Sequence, residues 1–244
     1  MTPYGLQLYS IRDLTEKDLE KGLETAAALG YASVEFAGFF GRPAKEVRAT
    51  LERLGLRASG THTGIEALSP DRIAETMEYH LALGCRDLII PGYPHADTAE
   101  GLDELLRTVE YAAPILRGHG IRLGYHNHAF EFLPTSFGRD IFEELHDKTD
   151  VCFEIDTFWA WEAGRDPVAL MRRLRAEGRL CAIHLKDGKR GGEGRSIGEG
   201  DAPCLAVRSA ALELGVPMIV ESEGLDPTGP EEVERCIRFL RALD

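Results

Sequence analysis

Short apolar runs alternate with amphipathic stretches along the whole chain. Eight runs read as strands: Tyr4–Tyr9, Ala32–Ala37, Leu56–Thr61, Asp87–Pro91, Ile121–Asn127, Val151–Asp156, Leu180–Leu185 and Pro217–Ser222. Between them, helical periodicity predicts helices near 16–29, 43–54, 70–83, 98–118, 138–147, 166–177, 202–214 and 230–242. Thr15 before Glu16, Ser69 before Pro70 and Asp166 before Pro167 read as helix caps followed by a first turn. Six helical patterns run into a glycine (Gly30, Gly55, Gly84, Gly120, Gly178, Gly215), the residue that closes a helix in the left-handed conformation. Strict strand–helix alternation implies a parallel sheet, and eight units close it into a barrel. The rival, an open doubly wound sheet, usually carries a glycine-rich fingerprint after its first strand. Here that place holds Tyr9-Ser10-Ile11-Arg12-Asp13. The reading is therefore an α/β fold, a single (β/α)8 barrel over residues 1–244, with the glycine-rich stretch 187–201 as a loop after strand seven.

Composition narrows the partners. The 244 residues carry a formal charge of −13 and no basic run, which argues against a nucleic-acid partner. Five scattered cysteines fit neither a disulfide framework nor a cysteine-rich zinc site. No apolar stretch is long enough to span a bilayer, and the N-terminus lacks the pattern of a signal peptide. The expectation is a cytoplasmic protein with no membrane partner.

In a barrel of this type the chemistry sits at the C-terminal ends of the strands. Residues facing one side of a strand are spaced by two. That spacing pairs His126 with His128, Glu154 with Asp156, His184 with Lys186, and Glu221 with Glu223. Earlier strands add Gln7, Tyr9, Glu35 and His62. Buried charges are costly unless paired or bound to a metal. Mixed imidazole and carboxylate donors suit Mn²⁺, Zn²⁺, Co²⁺ or Fe²⁺. Plainer readings stand beside these. Asp156 also fits a helix N-cap, His184 a core histidine bonded to a carbonyl, and Glu131 an exposed residue beyond its strand. Trp159, Trp161, Tyr9 and Phe39 fit either core packing or a platform for a sugar ring. Lys186 fits an ion pair, or a group that steadies a developing enolate. The N–H groups of Gly198-Glu199-Gly200-Asp201 could hold an anion, although its two carboxylates argue against a phosphate, and 188–194 could form a lid.

Several segments resemble the sugar phosphate isomerase/epimerase group of xylose-isomerase-like barrels, in order and nearly end to end. They are Gly5-Leu-Gln-Leu-Tyr-Ser-Ile-Arg12, Tyr125-His-Asn-His-Ala-Phe-Glu-Phe132, Phe153-Glu-Ile-Asp-Thr-Phe-Trp159, Ile183-His-Leu-Lys-Asp187, Gly198-Glu-Gly-Asp201 and Val220-Glu221. The resemblance implies a divalent metal, most often Mn²⁺ or Zn²⁺ with Co²⁺, Fe²⁺ or Mg²⁺ as others, held by residues of strands five to eight. Asp156, His184 and Glu221 match three of the ligands. Glu131 is expected as the fourth, with His126 as the alternative. The implied substrate is a small sugar-like molecule, and such barrels often dimerise or tetramerise, which leaves a homo-oligomer open.

The implied chemistry is proton abstraction beside a carbonyl of a keto-sugar or polyol ketone. Glu131 or Glu221 is expected as base, and His62, Lys186 and His126 as groups that orient substrate or hold developing charge. Isomerisation or epimerisation is the first expectation, dehydration or lyase chemistry on the same site the second. A non-catalytic sugar-binding barrel and an apurinic-site endonuclease are the remaining alternatives, because fold and motif do not by themselves fix a reaction.

Overall fold

A computed structural model describes residues 1–244. Eight parallel strands close a barrel: β1 (Gly5–Gln7), β2 (Ser33–Phe36), β3 (Arg57–His62), β4 (Asp87–Ile90), β5 (Arg122–His126), β6 (Cys152–Asp156), β7 (Leu180–Leu185) and, after a two-stranded hairpin of β8 (Asp187–Lys189) and β9 (Glu193–Arg195), β10 (Met218–Val220). Sequence neighbours pair all the way round, and β10 pairs with β1 to close the ring. The helices are α1 (Arg12–Thr15), α2 (Leu19–Ala28), α3 (Ala44–Leu54), α4 (Ile73–Leu83), α5 (Ala99–Gly118), α6 (Ile141–Lys148), α7 (Thr157–Glu162), α8 (Pro167–Ala176), α9 (Cys204–Leu214) and α10 (Gly229–Arg241). No helix is long and apolar enough to cross a membrane.

The core is the layer between strands and helices, filled by Leu, Ile, Val and Phe, with Tyr4, Phe36, Tyr125, Phe142 and Phe153 among the largest fully buried side chains. All six glycines expected to close helices have positive φ. Asp166 caps α8, its Oδ1 accepting from the N–H groups of Val168 and Ala169.

The chain departs from the sequence reading in several places. The helix expected from residue 16 starts at Leu19 as α2, capped by Asp18 rather than Thr15 through the Lys21 N–H, and α1 is a separate turn that ends at Thr15. Ser69 does not cap α4, which starts at Ile73 without a side-chain cap. The glycine-rich segment read as a loop that could form a lid is the β8–β9 hairpin. The N–H groups that seemed free to hold an external anion are taken. Those of Gly188, Gly198, Gly200 and Ala202 all donate to the buried carboxylate of Asp187, at 2.8–3.2 Å.

Candidate active site

Parallel strands bring all their C-terminal ends to one mouth, and register fixes which side chains meet there. His126 on β5 pairs with Glu154 on β6, Asp156 pairs with His184 on β7, and Val220 pairs with Leu185. Lys186 and Glu221, one residue on, therefore emerge side by side. The donor atoms of His126, Asp156, His184 and Glu221 lie within 4.8 Å of one another. His184 Nδ1 is 3.2 Å from Glu221 Oε2 and 4.0 Å from Asp156 Oδ2, while His126 Nε2 is 3.6 Å from Asp156 Oδ2.

All four residues are buried, yet the set is incompletely paired. Both ring nitrogens of His126 and Oδ2 of Asp156 have no hydrogen-bond partner, nor has Nδ1 of neighbouring His128. Buried polar atoms are nearly always satisfied, so such a group of exceptions needs an explanation. Two imidazoles and two carboxylates form a donor set that suits a first-row divalent ion, and a metal would occupy the unpartnered atoms. Asp156 serves twice: its Oδ1 caps α7 by accepting from the Trp159 N–H at 2.9 Å, which leaves Oδ2 aimed at the site.

Glu131 is held elsewhere. The chain turns after β5 in a short 3-10 segment, Phe130–Phe132, and carries the Glu131 carboxylate back against β5. There its Oε1 accepts from the Tyr125 hydroxyl at 2.9 Å and its Oε2 from the His128 N–H at 2.8 Å. The geometry thus groups His126, rather than Glu131, with the other three donors. Burial pushes the Glu131 carboxyl up to about 7.

Lys186 is fully buried among three carboxylates, 3.2 Å from Glu221, 3.5 Å from Asp156 and 2.5 Å from Glu223. Burial works against its charge, but Glu221, Asp156 and Glu223 outweigh that and hold it protonated. Burial would likewise raise the Glu221 pKa, whereas Lys186 and His184 pull it well below the usual range. Burial and the neighbouring histidines His184 and His62 hold His126 neutral, the form that ligates a metal.

A second cluster lies one layer deeper, because Glu154 precedes Asp156 by two residues on β6. Glu35, His62, Glu154 and His184 converge there. His62 Nε2 is 2.9 Å from Glu154 and 3.3 Å from Glu35, and Gln7 Nε2 donates to Glu35 at 2.8 Å. Burial and the adjacent Glu154 raise the Glu35 pKa.

Above the donors, Tyr9, Ala37, His62, Pro91, His126, His128, Glu221 and Glu223 line a cavity of about 310 Å³. Tyr9 is half-exposed beneath the Arg12 guanidinium, and Trp159 packs its ring 4.9 Å from Lys186 Nζ. Phe39 instead packs tilted against Phe36 and Tyr79, and Trp161 lies under Arg190. Asn127 was not singled out from the sequence. Its side chain accepts from the Asp156 N–H at 3.1 Å and donates to the Asp156 carbonyl at 3.2 Å, stitching the ends of β5 and β6 together. Its place between two histidines of a strand end was the only available signal.

Comparison with known proteins agrees with this architecture. Inosose dehydratase of Geobacillus kaustophilus is 28% identical over 188 residues, covering 68% of this chain and 60% of that protein. The 2-oxo-tetronate isomerase of Haemophilus influenzae is 28% identical over 163 residues, covering 56% of this chain and 62% of that protein. The chain thus spans less than two thirds of either relative's length. A crystal structure of a sugar phosphate isomerase/epimerase from Parabacteroides distasonis superposes with a TM-score of 0.83 at 24% identity, covering 99% of this chain and 98% of that one. The family model of the xylose isomerase-like TIM barrel matches residues 23–243, and the chain belongs to that family.

Proposed function

We propose that this chain is a divalent-metal-dependent enzyme that moves a proton beside the carbonyl of a keto-sugar or polyol ketone, as an isomerase or epimerase. The observation that carries the reading is the set of unpartnered, buried donor atoms on His126 and Asp156, facing His184 and Glu221. These four residues are the proposed ligands. Both curated relatives are named as enzymes, an isomerase and a dehydratase.

When bound, the metal supplies Lewis-acid polarisation of a carbonyl. The protein's own groups do the rest. Glu221, ionised by its cationic neighbours and lining the cavity, takes the α-proton. Lys186, protonated and fixed beside Glu221, steadies negative charge as it grows on the substrate oxygen. His62 and His128 line the same cavity and orient the hydroxyls, and Tyr9 offers an aromatic face to a sugar ring. Glu131 holds the His128 backbone in place rather than touching the reacting atoms. Returning the proton to the adjacent carbon gives the isomer, and loss of a β-hydroxyl as water gives dehydration. The name of the Geobacillus relative favours dehydration as the second reading.

The test is elemental analysis after loading with Mn²⁺ or Zn²⁺, with a Asp156→Ala, His184→Ala double variant as control. One metal per chain, absent from the double variant, is expected, together with exchange of α-hydrogen for solvent deuterium on keto-sugars. Wild-type protein that takes up no metal would remove the reading.

A further inference from the structure

The deeper cluster has a function of its own, one that rests on the metal reading above. His184 is completely buried, and its two ring edges face different surroundings. Nδ1 faces Asp156 and Glu221. Nε2 lies 2.7 Å from Glu35 Oε2 and 3.2 Å from Glu154 Oε2. We infer that Glu35 and Glu154 are positioning residues that hold the proton of His184 on Nε2, and so present the Nδ1 lone pair to the metal.

The shortest contact of the ring is Nε2 to Glu35 Oε2 at 2.7 Å, with a second carboxylate oxygen 3.2 Å away on Glu154, so Nε2 is the nitrogen placed to donate. Nδ1 lies 3.2 Å from Glu221 Oε2, and a metal seated between Asp156 and Glu221 would take its lone pair, so the one proton of a neutral imidazole stays on Nε2. The carboxylates are themselves fixed. Gln7 Oε1 accepts from the Tyr9 N–H at 3.0 Å, which settles the direction of its amide and turns Nε2 toward Glu35. Gly60 leaves the room Glu35 needs, since a Cβ there would stand 2.4 Å from Glu35 Oε1. Glu154 is anchored by His62 Nε2 at 2.9 Å. Support of this kind beneath a ligand histidine fixes its tautomer and raises its basicity.

Glu35, His62, Glu154 and His184 could also be read as ligands of a second metal, since their donor atoms converge as closely as the upper set. Satisfaction decides between the two. The facing atoms of the deeper set already have hydrogen bonds, whereas the His126 ring has none and Asp156 Oδ2 has only the Lys186 ammonium at 3.5 Å. The place that lacks partners is the place that needs an ion.

The experiment measures zinc affinity by competition with a chromophoric chelator, zinc stoichiometry, and the ¹⁵N spectrum of histidine-labelled, zinc-loaded protein. It compares wild type with Glu35→Gln and, should that variant fail to fold, Glu154→Gln. The His184 signals are identified by their loss in His184→Gln. Expected are one zinc per chain in wild type and variants, an affinity lower by about 10–100-fold in each variant, and a His184 spectrum that loses its single Nε2–H form. Unchanged affinity with one bound zinc overturns the positioning role alone. Two zincs in wild type, one of them lost in Glu35→Gln, overturn it by making these residues ligands. Wild type that binds no zinc removes the metal reading and this inference with it.

Discussion

The barrel has a cavity at its N-terminal end that is larger than the cavity above the donors at its mouth. At the N-terminal end a cavity of about 500 Å³ is lined by Gly5, Ser33, Ser59, Cys181 and Met218, with Arg57, Asp87 and Arg122 at its rim. At the mouth the cavity is about 310 Å³. Both arise from the same strands, two or more residues apart. They differ in what is left unpaired. At the floor, Arg122 is matched by Asp87 at 2.6 Å, and the Ser59 hydroxyl is the unpartnered buried atom. At the mouth the unpartnered atoms belong to His126, His128, Asp156 and Trp159. A void shows where side chains are small. A set of unsatisfied imidazoles and carboxylates shows where a ligand is needed, and only the mouth has that.

Replacing residues at the two ends sharpens the contrast. Glu221→Gln at the mouth should lower turnover by about 10²–10⁴-fold with the circular dichroism melt retained; turnover like wild type would strip the mouth of its assigned base. The next effect is one of stability and pH. Burial raises the folded-state pKa of Glu131 to about 7 from an ordinary 4.5. Its carboxyl is then neutral in both states below pH 4.5, and its contribution to stability is lost as pH rises through 7. Urea titrations of metal-free protein should show wild type losing about 3 kcal/mol relative to Glu131→Gln across that window. Parallel curves for the two proteins would show that the mouth imposes no such burial cost. At the floor, Ser59→Ala should change stability by less than about 0.5 kcal/mol and leave turnover alone. A loss of activity there would erase the distinction between the two ends.

The fold was legible because its signals are local and repeated. Most barrel strands are apolar runs, and six left-handed glycines close the helices before them. Errors came where two local signals compete. Thr15 and Asp18 both look like caps, and only Asp18 has its side chain on a free N–H three residues on. The aromatic run Thr157–Glu162 concealed α7, whose cap is also a site carboxylate. The types of the clustered side chains were readable from spacing by two, but which of His126 and Glu131 joins the cluster was not. Alternation places His126 inside the barrel. The position of Glu131 depends on a 3-10 turn and on the Tyr125 hydroxyl, a contact between residues of different local structure. Likewise, Glu35 and Glu154 look alike in sequence, and only the closed barrel sets them on one nitrogen.

Barrels of this architecture often anchor a substrate phosphate in the loops after strands seven and eight. Here that nest of N–H groups is already full, because Asp187 supplies the anion from within the chain. A Cβ at Gly200 would stand 2.2 Å from the same carboxylate, so the loop is moulded around it. The turn is a lock with its key cast in place. The N–H groups that could have met a ligand from outside are spent on the chain's own side chain.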